Sequence, residues 1–110
     1  MKVKDITEKI PFKILNGPES SAEKNIGSVY CCDLLSIAMS RMTEDAAWVT
    51  VMSNMNTLAV ASLTDVSCVI LAEGVTADES MLNKAKEQGI ALFSTELPIF
   101  EAANLIWKNL

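Results

Sequence analysis

Apolar residues along this chain change their spacing several times, and each change marks an element. Val3, Ile6 and Ile10 recur at helical spacing over a turn or two, until Pro11 stops them. Residues 12–15, FKIL, predict a brief strand, and 16–25, NGPESSAEKN, a loop. IGSVYCC at 26–32 predicts a strand. Asp33 then stands where a cap is needed for a helix carrying Leu34, Leu35, Ala38, Met39 and Met42 on one stripe.

The middle of the chain is greasier. AWVTVM (47–52) and CVILA (68–72) are continuous β-rich runs, the pattern of strands covered on both faces. Between them TLAVASL (57–63) is apolar nearly all round, with Asn56 as its expected N-cap, and small residues that allow close approach to a sheet. TADESMLNKAKEQG (76–89) predicts a helix opened by a capping box of Thr76 and Glu79 and stopped by Gly89. IALFS (90–94) predicts the last strand. Pro98 then opens a helix with Ile99, Ala103, Ile106 and Leu110 on one stripe and Phe100 and Trp107 beside it.

From Tyr30 onward strands and helices alternate with short connections. That order predicts an α/β fold: a three-layer α/β/α sandwich around a mostly parallel sheet of about five strands, closed by right-handed crossovers. A length of 110 residues, with no internal repeat or low-complexity tract, predicts one domain over 1–110. Half of the residues are apolar and mean hydropathy is +0.27, which places the chain among folded sequences. Yet no apolar run approaches the ~18 residues that span a bilayer. The opening MKVKDITEKI lacks the apolar centre of a signal peptide, so no membrane partner and a cytoplasmic protein are expected.

Charge narrows the partners. The net charge is −5, Arg41 is the only arginine, and no basic residue lies between Met42 and Asn83. Glu44, Asp45, Asp65, Glu73, Asp78 and Glu79 fall in that interval. Nucleic acid binding draws on neutralised phosphates, so this middle has the wrong sign for it, and no nucleic acid partner is expected. Histidine is absent, which removes the commonest general base and metal ligand. Cys31, Cys32 and Cys68 are expected to be small packing residues, because adjacent cysteines on a strand point to opposite faces. Glu44 and Asp45 at a helix-to-strand turn suit a solvated turn better than a cation site. No glycine belongs to a phosphate loop or a G-x-G-x-x-G turn, and no G-x-S-x-G elbow occurs. The residues therefore predict no enzyme, no catalytic residue, no metal and no cofactor.

Ligands of open parallel α/β sheets sit outside the carboxyl ends of the strands. Three loops are expected there: SNMN (53–56), EGVT (73–76) and TEL (95–97). They nominate Ser53, Asn54, Asn56, Glu73, Thr76 and Thr95 as a polar depression for a small molecule. Helix capping is the competing account of Asn56 and Thr76, and both remain open on sequence grounds. The wide apolar surfaces of the C-terminal helix and of the helix at 34–42 exceed what one sheet face covers, which predicts a homodimer.

GSVYCCDLLSIAM (27–39), the run from Ala47 to Gly74, and KAKEQGIALFSTELPIFEAA (84–103) resemble the DRTGG domain. That domain is itself similar to the N-terminal domain of HPr kinase/phosphorylase. The resemblance spans nearly the whole chain, with YCCDLLS, NTLAVASL and GIALFST as its most specific pieces. It implies a fold like the N-terminal domains of the Mur ligases MurE and MurF, and a regulatory or sensor role without catalytic residues. A partner protein or a small metabolite would be its ligand, with an association with hydrogenase or energy metabolism. It also implies an alternative: an accessory subunit of a kinase or phosphotransfer system that lacks its own catalytic domain. The signature acid–base pair falls on Glu23 and Lys24, but its Thr-Gly-Gly part falls on Gly27, Ser28 and Val29, so this chain departs from the family there and its glycines are mostly lost. Close relatives tend to carry a histidine where this chain has Asn54.

Overall fold

The structure, a computed structural model, describes residues Met1–Leu110. A 3-10 turn at Val3–Asp5 runs into α1 (Ile6–Lys9), followed by β1 (Lys13–Asn16), α2 (Glu19–Ala22) and β2 (Ser28–Cys31). Then come α3 (Leu35–Arg41), β3 (Ala46–Thr50), α4 (Met55–Thr64), β4 (Cys68–Leu71), α5 (Glu79–Gln88), β5 (Leu92–Ser94) and α6 (Ile99–Lys108). The five strands form one sheet in the order β1-β5-β4-β3-β2. β2 to β5 are parallel, and β1 alone is antiparallel, against β5. The central pair is parallel as expected, with Ala47 opposite Cys68 and Thr50 opposite Leu71.

The order β2, β3, β4, β5 advances in one direction. Crossovers of a single hand then place α3, α4 and α5 on the same face, and the packing agrees. Ala38 and Met42, Leu58, Val60 and Ala61, and Met81 and Ala85 share a cluster with Ala46, Trp48, Val69, Leu71 and Leu92 of the sheet. The residues between them on the strands, Ala47, Val49, Cys68, Ile70 and Phe93, face the other way. There they meet Ala102 and Ile106 of α6 together with Val3, Ile6, Ile10, Phe12 and Ile26. Strict alternation along strands that are buried on both faces produces the three layers. No helix is long and apolar enough to cross a membrane.

Several local expectations change. The stretch 16–25 holds a short helix, α2, entered through Pro18, whose extended backbone (φ −69°, ψ 142°) stands at the cap. Asp33 does not cap α3. The helix begins after Leu34, which supplies no side-chain cap, and the Asp33 carboxylate accepts from the Thr50 hydroxyl at 2.7 Å and Val51 N–H at 2.9 Å. The end of β3 outcompetes the helix because it brings two donors to one carboxylate oxygen. Cys68 is buried as expected, but Cys31 is exposed and Cys32 only half-buried. Both lie at the end of β2, an edge strand with a neighbour on one side only. The Cys32 carbonyl accepts from the indole N–H of the fully buried Trp48 at 3.0 Å.

Candidate functional site

The loops that leave the carboxyl ends of β3, β4 and β5 meet at one end of the sheet. Backbone bonds lock the latter two together: Glu73 N–H donates to Leu97 O at 2.8 Å and Gly74 N–H to Thr95 O at 3.0 Å. The Ser53 hydroxyl joins the first loop to the second by donating to the carbonyl of Thr76, and its oxygen lies 3.5 Å from the Met81 sulfur. A cleft of about 680 Å³ opens between the β4 and β5 loops and the antiparallel strand β1. Lys13 and Leu15 form one wall with Ser94; Gly74 to Ala77 and Leu82 form another; Thr95, Glu96 and Leu97 close the end.

The six residues nominated by the sequence divide. Thr76 and Thr95 line the cleft; the other four do not. Asn54 is the N-cap of α4, its Oδ1 accepting from Asn56 N–H at 2.9 Å and Thr57 N–H at 3.2 Å. The cap expected at Asn56 therefore moves two residues upstream, and Asn56 is an exposed residue of the first turn. Asn54 wins because its own backbone is extended (φ −151°, ψ 172°), which aims its side chain at the free N–H groups of that turn. Glu73 sits in the left-handed region at φ 60°, and its carboxylate accepts from Ile99 N–H at 3.0 Å, capping α6. The capping box expected from Thr76 and Glu79 is replaced by Asp78, whose Oδ1 accepts from Met81 N–H at 2.8 Å. That releases the Thr76 side chain to the cleft. Thr95 is partly committed, its hydroxyl oxygen accepting from Leu97 N–H at 3.2 Å.

The sequence reading missed most of the lining. Lys13 and Leu15 reach it because β1 turns back antiparallel onto β5, with Lys13 opposite Ser94, and no local pattern specifies that pairing. Gly74 carried the available signal, a glycine just after a strand. It has φ +73°, a backbone conformation that favours glycine, and the exposed Glu96 carboxylate lies close over its Cα. Lys13 is the only cation of the lining and Glu96 the only acid.

The signature positions lie at the opposite end of the sheet. Glu23 is held between Lys2 Nζ at 2.6 Å and Lys4 Nζ at 2.7 Å, and these hydrogen bonds and charges lower its carboxyl to about 2. Lys24 Nζ donates to Asp65 Oδ1 at 2.9 Å, where Asp65 ends α4 in a left-handed conformation (φ 53°). Gly27 donates its N–H to Asp45 O at 3.0 Å, and a Cβ on it would overlap the Asp45 carboxylate. Ser28 and Val29 are ordinary strand residues opposite Ala46 and Ala47. Asp45 accepts from the Thr43 hydroxyl at 3.0 Å, and no group of three or more Cys, Asp or Glu is placed to hold a metal ion.

No curated protein sequence matches the chain. Among solved structures, it is similar to the CBS and DRTGG domains of the regulatory region of Clostridium perfringens pyrophosphatase, complexed with the activator diadenosine tetraphosphate. The TM-score is 0.80 at 19% sequence identity, over 99% of this chain and 47% of that one. The chain thus spans about half of that regulatory region. Residues 5–108 match the DRTGG domain family, and on that match over nearly its whole length the chain belongs to the DRTGG domain family.

Proposed function

We propose that this chain is a non-catalytic regulatory domain that recognises a small metabolite in the cleft beside β1. The observation that carries this reading is the cleft itself, about 680 Å³ at the carboxyl ends of β4 and β5, where open α/β sheets take ligands. Membership of a family whose relative lies in the regulatory region of a pyrophosphatase supports the regulatory role. The ligand differs from that relative's tetraphosphate activator. A polyphosphate would find Lys13 as its single countercharge here and would meet Glu96 as well.

A thermal-shift screen of amino acids, nucleotides, sugar phosphates and cofactors tests the reading, since a ligand that binds only the native state raises the melting temperature by mass action. The expected result is a shift that Thr76→Trp, which fills the cleft, abolishes. A ligand whose effect survives that substitution would relocate the site.

A second surface supports self-association. Phe100 and Trp107, seven residues apart on α6, are 76% and 66% exposed; Leu34, Ile37 and Met39 are exposed around α3, in the opposite layer. Such aromatics and methionines are the types enriched in interfaces. The proposed assembly is a homodimer burying α6 against its counterpart.

A further inference from the structure

We propose that the ligand of the cleft is a small zwitterion of the amino-acid class with an apolar side chain, its carboxylate on Lys13 and its ammonium group on Glu96. This rests on the cleft being the recognition site and adds the class of molecule it takes. Lys13 and Glu96 are both exposed, and both line the cleft. Neither forms an ion pair or a side-chain hydrogen bond within the chain. The two charges are placed by different devices. Lys13 is set by its register opposite Ser94, and Glu96 follows two residues after Ser94, its carboxylate lying over Gly74.

The rest of the lining is mostly short or apolar. Leu15, Val75, Ala77 and Leu82 supply apolar surface, and the Thr76 and Ser94 hydroxyls have no partner in the protein. Two opposite charges lining one cleft discriminate among ligand classes. A dianion meets Glu96 unfavourably, a dication meets Lys13 unfavourably, and a neutral molecule gains from neither. A molecule with one carboxylate and one ammonium group satisfies both, and its side chain covers the apolar wall.

The test is amide NMR of the full chain titrated separately with leucine, N-acetylleucine, leucinamide and ATP. Leucine is expected to shift the amides of Gly74, Thr76 and Thr95. Each blocked compound, lacking one charge, is expected to bind about threefold to tenfold more weakly. Lys13→Met should abolish the preference for leucine over leucinamide, and Glu96→Gln the preference over N-acetylleucine. Blocked compounds that bind as tightly as leucine would overturn the assignment. If leucine is silent while ATP shifts those amides, the amino-acid class falls and the cleft stands as a recognition site. If no compound shifts them, the amino-acid class falls, and the thermal-shift screen decides the cleft itself.

Discussion

The Asp33 carboxylate binds the hydroxyl of Thr50 at 2.7 Å, across 17 residues of sequence, and so ties the end of edge strand β2 to the end of central strand β3. Thr50 is fully buried and in turn accepts from Met52 N–H at 3.2 Å, so its hydroxyl depends on Asp33 as acceptor. Asp33→Ala leaves that donor unsatisfied and is expected to cost about 1–3 kcal/mol. Thr50→Val removes donor and acceptor together and should cost roughly 1 kcal/mol. Urea unfolding of both variants checks the order. Equal stability of Asp33→Ala and the parent would show that the carboxylate is only a surface group.

Capping of α4 separates two asparagines that look alike in sequence. Asn54→Ala removes the acceptor of two N–H groups and is expected to cost about 1 kcal/mol. Asn56→Ala changes an exposed helical residue and should stay within about 0.5 kcal/mol. Reversal of that ranking in chemical denaturation would return the cap to Asn56.

Glu23 makes stability depend on acid pH. Its carboxyl falls from 4.5 to about 2 in the folded protein, through hydrogen bonds and charge from Lys2 and Lys4. A folded-state value below the unfolded one contributes stability that is present above about pH 4.5 and is lost as pH falls toward 2. Glu23→Gln should therefore flatten the pH dependence of the urea midpoint within that window, and the two proteins should converge at its acid end. The group is mostly exposed, so high salt should shrink the difference. Parallel pH profiles for the two proteins would contradict this account.

Thiol reactivity should rank by position. Cys68 is completely buried, which pushes its thiol up to about 12, so a disulfide reagent should reach it only on unfolding. Cys31 is exposed, though partial burial and the nearby Asp33 charge raise its thiol as well. Its reaction is expected to be slow at neutral pH and to accelerate as pH rises. Cys31→Ser should remove the fastest native phase, and a Cys68 that reacts natively at the same rate would sink the ranking.

Self-association is read most directly by light scattering over a concentration series. The proposed homodimer should dissociate on Trp107→Glu with the circular dichroism unchanged, because the replaced ring is mostly solvent-exposed within one chain. A parent protein that stays monomeric at high micromolar concentration would leave α6 without that role.

Local chemistry alone determined the alternating elements from Tyr30 onward, the two buried central strands, the stop at Gly89 and the amphipathic C-terminal helix. Each follows from a period, a propensity or a glycine, and those act within a few residues. Tertiary structure decided the rest. Which of two neighbouring polar residues caps a helix depends on where the chain enters it, so Asn54 displaced Asn56 and Asp78 displaced Thr76. Asp33 was drawn away from α3 because a strand distant in sequence offered it better donors. The cleft depends on β1 returning antiparallel to β5, a pairing between residues 13 and 94 that brings Lys13 into the same cleft as Glu96. Contacts of that separation are selected by the total burial of the whole sheet, and no single segment of sequence records them.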